Sequence, residues 1–249
     1  MQNGGPPLAP TAATLLGAWE SGAAAAPLDR APSLLHSLGA VAASVPTSEL
    51  TVGQCDARLF ELRRALFGEM LDVVATCSAC QTDVELTLAL SDLQPPVREG
   101  PAAPLTVRAD GYTLLCRIPR NEDLLALAWC GEEAMLGDLL ERCVLEATSP
   151  QERPVEPHEL PEAVVEAAVA ALAEADPGAQ TALRVRCPCG SEWVDELDIR
   201  SVVWGDLTDW VGRMLTEVHQ LARAYGWSEA EILTMSGWRR RWYLEAAGW

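Results

Sequence analysis

The chain has 249 residues, with 36 acidic and 18 basic side chains, a net charge of -18 and no lysine. That balance argues against a general nucleic-acid binder, which needs phosphate neutralisation, and against adhesion to anionic membranes. The missing lysine excludes Schiff-base chemistry, a Walker A loop and a kinase-type lysine, and no apolar run approaches the roughly 18 residues of a membrane span.

Hydrophobic residues make up 49% of the chain, so one sizeable core or two modest ones are expected. The opening MQNGGPPLAP lacks the basic flank and apolar core of a signal peptide. A cytoplasmic location follows as the expectation, and there eight cysteines suit free thiols plus a metal site better than disulfides.

Residues 1–48 are rich in Ala, Pro and Gly and read as a flexible tail with transient helix. The sharper alternative is a docking peptide that uses Trp19. A body over 49–202 follows. In it Asp56 is expected to cap a helix to Phe67, with Leu59, Leu62 and Leu66 on one side and Gly68 as the stop. Asp72 to Thr76 reads as a short strand. After Cys80, Val84, Leu86, Leu88 and Leu90 alternate with Asp83, Glu85 and Thr87, the pattern of a half-buried strand.

The prolines of 93–104 mark a linker. Leu105 to Arg108 and Tyr112 to Ile118 form a hairpin through Asp110-Gly111, where both turn positions tolerate positive φ. Asn121 is expected to cap a helix to Trp129. A second helix runs from Glu132 to Ala147, burying Leu136, Leu139, Leu140 and Cys143. A proline-rich break at 148–161 precedes a helix from Glu162 to Ala175, stopped by Asp176-Pro177-Gly178. Strands follow at Leu183 to Arg186 and Trp193 to Ile199. The C-terminal region, 203–249, is helical. Asp206 opens a helix to Tyr225 that buries Leu207, Trp210, Met214, Val218 and Leu221, and Gly226 ends it. Ser228 and Glu231 form a capping box, and Ser236 starts a last helix.

Two segments share a plan: VATCSACQTDVELTLALSDL from Val74 and LRVRCPCGSEWVDELDIRSV from Leu183. Aligned at Cys80 and Cys189, Val84 falls on Trp193, Leu88 on Leu197 and Leu90 on Ile199. Zinc prefers four tetrahedral ligands, and a lone thiol pair leaves two positions open. Cys77, Cys80, Cys187 and Cys189 are therefore the expected ligands of one structural Zn2+. The fold class expected is α+β: short antiparallel strands with a zinc-ribbon-like four-cysteine knuckle pair, then the helical region. A redox dithiol at Cys77 and Cys80 and a rubredoxin-like iron cage are the competing chemistries. Cys55, Cys116, Cys130 and Cys143 sit in apolar contexts and read as core residues.

No catalytic residue set emerges. His36 lies in the low-complexity region, His158 in the proline-rich break and His219 on the long helix, and no HExxH, GxSxG or GxGxxG occurs. Glu192, Asp195, Glu196 and Asp198 read as a solvated strand face. In the tail, Arg239, Arg240 and Arg241 stand between Trp238 and Trp242-Tyr243, with the two tryptophans on one helical face. Such a helix either packs on its own domain or presents interface anchors.

Three stretches together carry a family resemblance: LFELRRALFG with the cysteine pair after it, the second knuckle with Trp193 and Trp204, and EVHQLARAYGWSEAEILTMSGWRRRWYL from Glu217 to Leu244. Over roughly residues 50 to 245 the chain resembles the T4-type baseplate hub assembly protein family of contractile phage tails and related injection systems. Cys187-Pro188-Cys189 is one residue shorter than the family-like knuckle. The resemblance implies a non-enzymatic baseplate component or hub assembly chaperone. It would bind hub, wedge or tape-measure proteins, without nucleic acid or membrane insertion. The anchors expected on that basis are Tyr225, Trp227, Trp238, Arg241, Trp242 and Tyr243. The alternative is a zinc-ribbon adaptor in an unrelated cytoplasmic complex.

Overall fold

A computed structural model describes residues 10–41, 45–93, 100, 102–127 and 132–249. Cys130, the expected helix end at Trp129 and most of the 93–104 linker lie outside them.

The chain begins with α1 (Ala12–Ala23), capped by the Thr11 hydroxyl, and α2 (Pro27–Ser37), which has proline at its permissive first position. The flexible tail expected over 1–48 is therefore corrected for this stretch. Leu15, Leu16, Ala18, Leu34 and Leu35 are buried in the main core. Trp19 stacks on Trp204 with ring centroids 6.3 Å apart and donates from Nε1 to the Thr208 hydroxyl at 3.0 Å. Arg30 lies 5.0 Å from the Trp204 ring centroid, within cation–π range, so the ring meets both an indole and a guanidinium. Trp19 thus docks within its own molecule.

Helix α3 (Val52–Phe67) starts at a Thr51/Gln54 capping box, and Gly68, at φ 92, stops it. Asp56 is not its cap. It is buried in the second turn and holds Arg200, with Nε to Oδ1 at 2.6 Å. Strands β1 (Met70–Thr76) and β2 (Asp83–Ala89) form an antiparallel hairpin, and α4 (Leu90–Leu93) follows.

Strands β3 (Leu105–Ala109) and β4 (Tyr112–Cys116) pair through Asp110 and Gly111, both at positive φ as expected. Helices α5 (Asn121–Leu127) and α6 (Glu132–Cys143) come next. The expected helix to Ala147 ends early: β5 (Val144–Thr148) joins the sheet beside β4, burying Val144 and Ala147. Leu136, expected inside, is 48% exposed. Helix α7 (Glu162–Ala175) runs between its expected ends and buries Val164, Ala168 and Leu172 against this sheet.

A further hairpin, β6 (Ala182–Arg186) with β7 (Glu192–Glu196), leads into α8 (Ile199–Tyr225). The strand expected to Ile199 ends at Glu196. Asp198 then caps α8 by accepting from the Arg200 and Ser201 amides, well before the expected start at Asp206. Asp206 instead pairs with Arg63, whose Nε lies 2.9 Å from its carboxylate. The expected boundary at 202/203 falls inside this helix. Gly226, left-handed at φ 70, ends α8, and α9 (Glu229–Leu233) and α10 (Gly237–Ala246) follow from the expected caps Ser228 and Ser236.

Among the described residues, most of the buried apolar side chains fall in two clusters. One joins α1, α2, α3, the β1–β2 and β6–β7 hairpins and α8; the other joins β3–β5 with α6 and α7. The second core is therefore built from chain that lies between the two hairpins of the first. A polar seam joins them. Arg200 donates to Asp56 and, at 2.7 Å, to the Asn121 side chain, while the Gly53 amide donates to Asp176 at 2.9 Å.

Candidate metal centre

The two turns that carry the cysteines are built alike. In the first, the Cys77 amide donates to the Thr82 carbonyl and the Gln81 amide returns to the Cys77 carbonyl. In the second, the Cys187 amide donates to the Ser191 carbonyl and the Gly190 amide to the Cys187 carbonyl. The residue after each second cysteine is left-handed, Gln81 at φ 59 and Gly190 at φ 93. Glycine adopts that conformation without steric penalty. The shorter second turn thus closes with the same hydrogen-bond logic, and the missing residue does not misdirect its sulfurs.

All four sulfurs lie within 4.8 Å of one another. Cys77 Sγ is 3.9 Å from Cys189 Sγ, and Cys80 Sγ is 3.5 Å from Cys187 Sγ. Zinc–sulfur bonds of about 2.3 Å in a tetrahedron place sulfurs about 3.8 Å apart, so these separations fit such an ion. Cys77 and Cys187 are buried, and Cys80 and Cys189 face outward. The four expected metal ligands are brought together as one site able to hold a metal ion; none of the three histidines belongs to it.

The electrostatics are those of a crowded thiol set. A hydrogen bond from the Cys80 amide draws the Cys77 thiol below its ordinary range. The Thr82 hydroxyl, then its amide and the Cys187 and Cys189 thiols, bring Cys80 down to about 6. At Cys187 the Cys189 amide favours the thiolate. Lost hydration and the neighbouring thiols outweigh it and push Cys187 up to about 12. The first proton leaves this cluster readily and the last is held by the charge already formed. A divalent cation removes that conflict.

Cys55, Cys116 and Cys143 are wholly buried, as core residues should be. Burial raises all three thiols, Cys55 and Cys143 to about 11. The expected acidic strand face is exposed at Glu192, Asp195 and Glu196, although Glu192 pairs with Arg186 and Asp198 caps α8.

The C-terminal residues form an aromatic cluster and an outward face, which touch where Trp242 lies edge-on to Tyr243, with centroids 5.2 Å apart. Tyr225, Trp227 and Tyr243 pack on one another, with centroids 4.5 Å apart for Tyr225–Trp227 and 4.8 Å for Trp227–Tyr243, and the Tyr225 hydroxyl donates to the Tyr243 carbonyl. Trp238 and Trp242 point outward, 73% and 53% exposed, with Arg239 and Arg241 exposed on the same helix. Arg240, between them in sequence, turns inward to Glu217 at 2.7 Å.

Sequence reasoning missed the Trp19–Trp204–Arg30 contacts and the Asp56–Arg200–Asn121 seam, since neither has a local signature. Comparison with protein-family models, curated proteins and solved structures finds no match for the chain.

Proposed function

We propose that the protein is a zinc-stapled adaptor, a module without a catalytic centre that acts by binding proteins in a cytoplasmic complex. The supporting observation is the convergence of four cysteine sulfurs within 4.8 Å, although Cys80 and Cys187 are 107 residues apart in sequence and Cys77 and Cys189 are 112 apart. An all-thiolate set favours zinc over harder cations, and four protein ligands leave no coordination position for a substrate. A site of that kind acts by holding the two hairpins together. The outward Trp238, Trp242 and Arg241 are of the residue types that dominate interface energetics. Purified protein should contain about one zinc per chain and four thiols that react only after chelation. Metal-free protein with reactive Cys77, Cys80, Cys187 and Cys189 would remove this reading.

A second reading is supported by the residue combination from Glu217 to Leu244: a baseplate component or hub assembly chaperone of a contractile phage tail-like particle. Its partners would be hub, wedge or tape-measure proteins, and its anchors the C-terminal aromatic residues. Co-expression with such proteins should yield a complex that truncation after Ala224 weakens. Retained affinity after truncation counts against the tail as the contact.

A further inference from the structure

The sulfur contacts in the thiol cluster follow one plan. Cys80 Sγ lies 3.5 Å from Cys187 Sγ, and Cys77 Sγ lies 3.9 Å from Cys189 Sγ. Each pair takes one cysteine from the turn after β1 and one from the turn after β6. Each also joins an outward cysteine, Cys80 or Cys189, to an enclosed one, Cys187 or Cys77. The outward sulfur is open to a small oxidant. The enclosed sulfur beside it is shielded from solvent and near van der Waals contact with its partner. That is the arrangement of an attacking and a resolving cysteine, present twice.

Pairing across the hairpins is favoured over pairing within a turn. Closing Cys77 with Cys80 would leave Cys187 and Cys189 with only each other. A bond between those two would close over Pro188 alone, whose ring fixes φ and leaves little freedom to bring the sulfurs together. The hairpins also share an apolar core, with Leu71 and Ala75 from β1 and Leu183 and Val185 from β6, so the sulfurs stay opposed when an ion departs. Coordination shields the four sulfurs from bulky thiol reagents, whereas a hydroperoxide needs only the outward lone pair of one. A metal-bound cysteine is already the thiolate, the form that attacks peroxides. The oxidant is uncharged as well as small, because four thiolates about one divalent ion, in a chain of net charge -18, repel an anion.

We propose that hydroperoxides oxidise this cluster to two disulfides, Cys80–Cys187 and Cys77–Cys189, which expel the zinc ion and take over its hold on the two hairpins. The proposal rests on the adaptor reading, since it starts from the zinc-loaded site. With hydrogen peroxide, the outward thiolate of each pair attacks one oxygen and the O–O bond breaks. The sulfur becomes a sulfenic acid, and the other oxygen leaves as water after taking a proton from solvent. The enclosed thiolate then attacks the sulfenic sulfur. The S–S bond forms, and the hydroxyl leaves as a second water with another proton. Sulfur is oxidised and peroxide reduced by two electrons per pair. Four thiolates, two hydrogen peroxides and four protons thus give two disulfides and four waters, and Zn2+ goes free. Two molecules of a dithiol, each oxidised to its own disulfide, reverse the change in the presence of Zn2+ and release four protons. The ion and the disulfides close the same stretch of chain. The fold therefore keeps its staple in both states, and the difference between them is whether zinc is held.

The test treats the zinc-loaded full chain with hydrogen peroxide, follows free zinc with a weak chromogenic chelator and maps disulfides by mass spectrometry of unreduced peptides. Zinc should appear in step with peroxide consumed, one ion for every two peroxides. The map should show Cys80–Cys187 and Cys77–Cys189, with the enclosed Cys55, Cys116 and Cys143 still thiols. Dimedone present during a separate reaction should label Cys80 and Cys189 and spare Cys77 and Cys187. The oxidised, zinc-free chain should melt well above the reduced chain stripped by a strong chelator, and dithiothreitol with added zinc should restore the bound ion. A chain without zinc before peroxide is added fails the adaptor reading together with this one. Zinc retained against excess peroxide, bonds within either turn, dimedone on Cys77 or Cys187, or unfolding on release overturns this proposal and leaves the adaptor reading standing.

Discussion

At Gly53 the backbone of α3 meets the backbone of the 176–179 turn, with the Asp176 carboxylate against it. A Cβ added there would lie 2.7 Å from the Gly178 carbonyl carbon, and the Gly53 amide is committed to Asp176. Neither neighbour is the loose end of a long side chain, so Gly53→Ala must push the start of α3 away from the 176–179 turn. Overpacking of this kind costs about 2 kcal/mol, to be read from the midpoint of a denaturant titration. A change under about 0.5 kcal/mol, ordinary for a surface position, would mean that the two segments do not touch. Residues of this sort separate what the sequence displays from what it conceals. Ser228, Ser236, Gly68 and Gly226 do locally what their positions predict, because a cap or a left-handed stop is decided within one turn of chain. Asp56 and Asp198 show where local reading fails. Both stand before helical sequence, but Asp56 serves Arg200 across 144 residues, and Asp198 alone does the capping.

Among the elements, the pair α1–α2 departs furthest from expectation. Its Ala- and Pro-rich composition resembles that of unfolded segments, yet Leu34 and Leu35 are fully enclosed and Gly22 admits the Trp204 ring. Composition averages over a segment, whereas burial depends on a few residues that meet a distant helix. If the pair is part of the core, Leu34→Ala costs about 3 kcal/mol, as large-to-small core changes do. In a solvated tail the same change would move the melting temperature hardly at all. Helix α5 supplies a second test. Asp123, at its start, is fully buried; burial raises its pKa, but Arg117, bidentate at 2.6 and 2.7 Å, the Arg120 amide and Arg142 outweigh that and hold the carboxyl below its usual range. A carboxylate whose pKa is depressed on folding contributes stability above its unfolded pKa, and that contribution fades as pH falls through the lowered value. The melting temperature of the native chain should therefore drop on acidification below about pH 4. Asp123→Asn should lower it at neutral pH by leaving Arg117 uncompensated, and should flatten the acid limb. A parallel acid limb in the variant would place the titrating group elsewhere.

Over the whole molecule, the thiol cluster closes a chain segment that contains the entire second core. Residues 105–172 supply that core, and Cys80 and Cys187, which flank it, are 107 residues apart in sequence yet 3.5 Å apart at sulfur. The cysteine pairs were legible because each stands in a turn between alternating strands. Their joining was legible only through coordination number. The nested cores were not, since nothing local tells a chain that the β6–β7 hairpin returns to β1–β2. Cross-linking a loop of about 100 residues removes about 4 to 5 kcal/mol of unfolded-state entropy in the chain-entropy description. A bound ion produces that effect only while its ligand set is complete, so the four cysteines act as one unit. Cys77→Ser and Cys189→Ser should each release the ion and destabilise the fold by several kcal/mol. The double variant should be little worse than either single one, and a chelator should lower the native chain toward the same melting temperature while leaving the variants unmoved. Independent thiols predict the opposite: losses that add in the double variant, and a native chain indifferent to the chelator. That outcome would leave the two hairpins joined only by the shared apolar core that takes in Leu71, Ala75, Leu183 and Val185, with no ion between them.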